Sequence, residues 1–295
     1  MNPLEDVMSL AVSSLCRMPV ERFNEAHWPA AVIAAWRLSE DPDIDPAAIA
    51  PMSAQVHALM REMSDRFTPP APSAHVDVTP AHRALAAGAG RLSALGHDVI
   101  FGALALTAMQ RRPELATRAN VNGLVALIEA IQERGPGGPF PGWDDPTAVT
   151  GHETVPDLGD AATLASTTLD AFVATGPFHE GLDQGVVVHL ITHAHATLLL
   201  DDLGLHETSR AAREAQRTYL TLVARRPDPD GSVAPGGHDL DPRTASFWEH
   251  DRRGTGRWMF GHVFKMPLAF EALVRAANRD DPAWRHHLGY TMSVT

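Results

Sequence analysis

The apolar run HVFKMPLAF carries Lys265 between Phe264 and Met266, and this is the only lysine in a chain with 24 basic residues. A buried ammonium must lose its charge, find a counter-ion or be chemically modified, because desolvation disfavours the charged form. His262 precedes it by three residues, so on a helix the two side chains share a face. An imidazole beside a neutralised amine points to a metal site. His189 and His193 form a second pair, four residues apart in VHLITHAHATLLL, and can face one cavity while His195 points elsewhere. No glutamate completes an HExxH pattern there, so the pair is not a zincin motif, and two buried histidines satisfied by carbonyls is the simpler reading of it alone. His27, before Trp28 and Pro29, and His97, after Gly96, open two further segments. Sixteen histidines in all raise the expectation of metal or proton-transfer chemistry.

Positioning these groups falls to helices. Apolar residues recur at helical spacing through most of the chain and alternating β-branched runs are nearly absent, which predicts an all-α fold. Ten helices are expected: Leu4 to Cys16, Trp28 to Leu38, Pro46 to Phe67, Pro80 to Ala94, His97 to Arg111, Pro113 to Arg134, Leu158 to Ala174, Leu182 to Leu203, His206 to Arg226 and Arg257 to Ala276. Breaker-rich stretches beginning at Thr68, Gly135 and Pro227 separate some of them, and they either cover a pocket or lack order. Pro267 removes a backbone donor and is expected to bend or open its helix. The segments GHDVIFGALAL, VHLITHAHATLLL and GHVFKMPLAF echo one another; if the helices are neighbours their histidines converge, and otherwise the likeness is compositional.

Composition bounds the rest. A chain of 295 residues with 44% hydrophobic content can bury a full core, read here as one helical domain over 1–295 with the metal site between its central helices. A net charge of −12 argues against nucleic acid and anionic membrane as partners, and the single Cys16 fits a reducing compartment. An acidic N-terminal stretch and the lack of any run near 18 apolar residues predict a soluble, cytoplasmic protein. Three motifs are set aside. His97-Asp98 lacks basic groups to hold a phosphate, Asp201-Asp202 reads as a solvated helix end, and the glycine-rich loop at Gly135 has neither a strand before it nor a GK[ST] after it.

Four segments taken in order, FNEAHWPAAVIAAWRL, GHDVIFGALAL, VHLITHAHATLLL and GHVFKMP, resemble the questin oxidase-like family, and the resemblance spans Phe23 to Ala276. It implies an α-helical non-haem iron oxygenase in which His27, His97, His189 and His262 bind Fe(2+) with a carboxylated Lys265; a shift of one turn selects His193 in place of His189. The catalytic role falls to His262 and Lys265. Ala26 stands where the family has asparagine before the first histidine, and Leu104 where relatives often have another histidine. Carbon dioxide adds only to a neutral amine, so an apolar setting would depress the pKa of Lys265 and the carbamate anion would then meet the cation. Four imidazoles and one anionic oxygen suit iron and leave one octahedral position open.

The expected function is oxygenation or cleavage of a small aromatic polyketide, anthraquinone-like by resemblance, with dioxygen. Trp248, Trp258 and Phe260 are nearest in sequence to the metal helix and are the expected pocket walls, although most of the 6 tryptophans and 10 phenylalanines belong to the core. NADPH is compatible with this chemistry and no motif supports it. A zinc or nickel metallohydrolase with a carboxylated lysine is the runner-up, ranked lower because such enzymes add an aspartate ligand and sit on barrels with strands. A non-enzymatic helical binding protein is the third reading, in which the buried lysine needs a counter-ion of its own. The sequence says nothing about oligomeric state.

Overall fold

The computed structural model describes residues 2–136, 155–177, 184–224, 233, 236–237, 240–250 and 261–293. These residues form twelve α-helices and no strand. In chain order they are α1 (Met8–Cys16), α2 (His27–Leu38), α3 (Pro46–Glu62), α4 (Thr79–Gly88), α5 (His97–Arg111), α6 (Arg118–Gln132), α7 (Ala161–Ala174), α8 (Gln184–Asp202), α9 (His206–Ala224), α10 (Ala245–Glu249), α11 (His262–Ala277) and α12 (Pro282–Ser293). Buried side chains from every one of them join a continuous core.

The all-α expectation holds, and most boundaries follow local chemistry. Asp45, Thr117 and Asp160 cap α3, α6 and α7 by accepting a backbone N–H in the first turn, which stabilises each helix start by about 1 kcal/mol. The helix expected from Pro113 therefore begins at Arg118, after a short 3-10 turn over Pro113–Leu115. That expected to end at Ala94 stops at Gly88. Pro267 does not break α11, which runs through it from His262 to Ala277.

Two helices escaped the sequence reading. Helix α10 has five residues, too few to show a period. Helix α12 buries Trp284, His287, Leu288 and Thr291, a helical stripe half made of polar residues.

Four helices form the centre. Helix α2 packs on α5, α5 on α8, α8 on α11, and α11 on α2, closing a ring. The described part of α8 is buried on nearly every side, and α9 covers it with an amphipathic face. Histidines at or near the four helix starts cluster together, and residues of the four helix ends line one cleft, so α2, α5, α8 and α11 all run the same way. Their starts meet at one pole and their ends at the other, as the two sites below make plain.

Among the described residues no helix is long and apolar enough to cross a membrane. Of the breaker-rich stretches, the one from Thr68 is tied down, with its backbone N–H donating to Ser14 Oγ and His75 bridging Thr117. Most of the other two lies outside the described residues.

Candidate metal centre

Three of the four ring helices begin on a histidine: His27, His97 and His262 are the first residues of α2, α5 and α11. Each points its ring across the starting pole of the ring, where His189 reaches in from near the start of α8. The Gly-His pairs have a backbone cause. Gly96 and Gly261 precede His97 and His262 with φ of +83° and +65°, the left-handed region that a side chain resists. Space forbids a side chain as well. A Cβ on Gly96 would lie 2.2 Å from the His193 ring, and one on Gly261 would lie 2.3 Å from the Ala31 methyl.

Ala94 and Leu95 before Gly96 are also left-handed, at φ 44° and 61°. For residues with a side chain this costs roughly 1–2 kcal/mol each. The strained turn presents the Ala94 carbonyl to His97.

The four rings cluster tightly. Centroids lie 4.6 Å apart for His27 and His97, 4.4 Å for His97 and His189, 4.8 Å for His189 and His262, and 5.0 Å for His27 and His262. His97 Nε2 is 2.7 Å from His27 Nε2, and His262 Nε2 is 3.3 Å from His189 Nε2. Nitrogens of His27, His97 and His189 all lie within 4.8 Å of one another, a separation a single metal ion can span. All four imidazoles are buried.

Hydrogen bonds assign the tautomers. A carbonyl only accepts, so His97 Nδ1–H donates to Ala94 O and His189 Nδ1–H donates to Gly185 O. Each Nε2 then carries a lone pair aimed inward, the form that binds a metal. For His97 and His189 the outer partner that a metal-binding histidine needs is therefore a backbone carbonyl.

Lys265 sits one turn into α11, buried, with Nζ in hydrogen-bonding contact with His27 Nδ1. Burial holds its amine well below the usual lysine range, and no carboxylate among the described residues pairs with it. Burial likewise holds the imidazoles neutral: His97 is pushed down to about 3, and His27 and His189 fall well below the ordinary value. Helix polarity works in the same direction. Several helix starts face the cluster, each with a partial positive charge of about half a unit, which disfavours cationic side chains and favours an anion.

His193 is not part of the cluster. Its Nδ1 pairs with Gln216 Oε1 at 2.7 Å, and the Gln216 amide nitrogen is turned toward Leu190 O and Thr168 Oγ1. His195 lines a cleft at the opposite end of α8. Trp248 is a buried side chain of α10, stacked on Phe264 at 5.4 Å, and its Nε1–H donates to Pro242 O. Trp258 and Phe260 lie outside the described residues. Among the described residues the aromatic rings that touch the cluster are Phe101, 5.2 Å from His27 and 5.1 Å from His97, and Phe23, 5.9 Å from His97. Phe101 follows His97 by one helical turn, so its spacing carried that signal.

No protein-family model, curated protein or solved structure matches the chain. Several neutral imidazoles on rigid helix starts, two of them fixed by carbonyls, fit a divalent transition metal, and a buried lysine without a carboxylate partner fits the neutral amine that adds carbon dioxide.

Proposed function

We propose that this protein is a non-haem iron oxygenase acting on an aromatic polyketide of the anthraquinone type, the substrate class being taken from the resemblance of its four histidine segments to the questin oxidase-like family. In this reading His27, His97, His189 and His262 hold Fe(2+) together with a carboxylated Lys265. The observation that carries it is the convergence of four buried imidazoles at the starting pole, two of them with Nε2 lone pairs fixed by carbonyls, beside an amine kept neutral by burial.

Bound iron would supply activation of dioxygen. The chain's own contribution is positional and electrostatic. The Ala94 and Gly185 carbonyls keep Nδ1 of His97 and His189 protonated and so keep Nε2 available. The Lys265 amine adds carbon dioxide by forming an N–C bond and releasing one proton, which yields a carbamate anion. Helix starts facing that anion lower its cost. Phe23 and Phe101 shield the rings and exclude water from the protonation equilibria of His27 and His97.

Elemental analysis and anomalous scattering on freshly purified protein test the reading, followed by dioxygen uptake with a hydroxylated anthraquinone. Near-stoichiometric iron is expected, lost in His97→Ala and Lys265→Ala variants that still fold by circular dichroism. Stoichiometric iron in Lys265→Ala protein would end it. Zinc with no dioxygen-dependent turnover would favour the metallohydrolase, and metal-free protein unaffected by chelators would favour a binding protein.

A further inference from the structure

At the far pole of the ring, about 15–20 Å along the helices from the histidines, a cleft of about 420 Å³ opens among the ends of the same four helices. Arg37, Arg111 and Arg275 stand in the last turns of α2, α5 and α11 and face it. That is the charge a helix end prefers. Helix α8 breaks the pattern: it ends on Asp201 and Asp202, with no basic residue in its last turn.

Pairing leaves three groups over. Arg275 is taken by both carboxylate oxygens of Asp41, at 2.7 and 2.9 Å, and by Asp43 at 3.0 Å. Asp201 is taken by Arg213 and His206. Arg37 and Arg111, in contrast, share a single oxygen, Glu40 Oε2, at 3.2 and 2.8 Å, so two guanidinium charges meet one carboxylate. Asp202, exposed at the end of α8, makes no hydrogen bond or ion pair among the described residues, although it feels Asp201 and Arg37. His195 is 6% exposed, lines the cleft, and has no hydrogen-bond partner among the described residues.

With no protein partner among the described residues, the His195 ring is open to a hydrogen bond from whatever occupies the cleft it lines. The cleft therefore offers excess positive charge and a free imidazole on one side and an unpaired carboxylate on the other. Leu198, Leu199, Leu268 and Ala272 add apolar surface between them.

We propose that this cleft binds a small zwitterion of the α-amino-acid type with an aliphatic side chain, its carboxylate toward Arg37, Arg111 and His195 and its ammonium toward Asp202. Both charges complement the pattern. A lone anion would leave Asp202 unmatched beside Asp201, and a lone cation would leave the shared Glu40 oxygen facing two guanidinium groups. The cavity lies at the lower end of the volume range of small-molecule sites, which suits a ligand of this size.

Equilibrium dialysis of the full chain tests this with L-leucine, with 4-methylpentanoate, which lacks the ammonium, and with 3-methylbutylamine, which lacks the carboxylate. Saturable 1:1 binding of leucine is expected, with each half-molecule weaker by at least about tenfold. Asp202→Asn is expected to lower leucine affinity to that of 4-methylpentanoate, and Arg37→Gln to lower it to that of the amine. Both side chains stand at the cleft rim, and circular dichroism confirms that the variants fold. No saturable leucine binding, equal binding of either half-molecule, or unchanged affinity in both variants overturns the proposal. None of these results depends on metal, so the reading of the histidine pole is tested separately.

Discussion

The two poles of the α2, α5, α8 and α11 ring handle charge in opposite ways. At the starting pole four imidazoles and a lysine amine are buried, burial favours the neutral form of His27, His97, His189 and Lys265, and backbone carbonyls fix two of the rings. At the ending pole three arginines and four acids stand at a cleft, where Arg275 is paired with Asp41 while Arg37 and Arg111 share Glu40. The same helices supply both, so composition alone does not separate them. Helix polarity does: parallel helices place partial positive charge at one end and partial negative charge at the other, and each pole keeps the side chains its field tolerates. Helix α8 is the exception, since it ends on Asp201, which Arg213 offsets, and on Asp202, which is exposed.

The largest expected effect is the response of metal-free protein to acid. Burial pushes His97 to about 3, His193 to about 4 and His195 to about 3, below the value near 6.5 that an unfolded histidine shows. Between those limits the unfolded chain binds more protons than the folded one. Stability is therefore complete above about pH 6.5 and is lost as pH falls toward the folded values, by about 1.4 kcal/mol per histidine between pH 7.5 and 5.5. Urea unfolding in chelator at both pH values measures it. A pH-independent midpoint would mean that these rings are not buried neutral.

Next comes the backbone that aims the starting pole. Gly261→Ala puts a methyl group into the left-handed region and onto Ala31. Strain and overpacking together are expected to cost about 2–4 kcal/mol, read as a lower denaturation midpoint. Gly204, equally left-handed at φ +76° but with nothing within 4 Å, provides the control, and Gly204→Ala should cost only the conformational part.

At the other pole Arg275→Gln leaves the nearly buried Asp41 carboxylate without its guanidinium partner. Because the arginine itself is 43% exposed, the loss is expected to be about 1–2 kcal/mol, below that of a fully buried pair. High salt should shrink it. A salt-independent loss would assign the effect to packing of the arginine stem.

The smallest effect has the opposite sign. Asp202→Asn removes an acid from the end of α8 and from beside Asp201 and is expected to stabilise the ligand-free protein by about 0.3 kcal/mol. Thermal melts at low ionic strength can resolve it. Destabilisation would show that Asp202 is already satisfied, and the contrast between the poles would lose its exception.

The helical class, the start of α5 at His97 and the face shared by His262 and Lys265 were all legible in the sequence, because each is local: an apolar period, a glycine before a histidine, a three-residue spacing. The choice of His189 over His193 for the cluster was not decided by spacing. Both rings lie on one face of α8; the glutamine on α9 that claims His193 is 23 positions away. Trp248 is near α11 in sequence, yet its ring stacks on Phe264 and its N–H is spent on Pro242. Phe101, one turn from His97, was available to the same spacing rule and was overlooked.

By itself the amino-acid order determined the helical class and most of the helices, since apolar period, helix starts and caps depend on a few neighbouring residues. Only the tertiary structure decided that α2, α5, α8 and α11 run in one direction around a ring. That arrangement depends on contacts between residues up to 238 positions apart, such as Lys265 with His27, and these form only when the helices bury their apolar faces together.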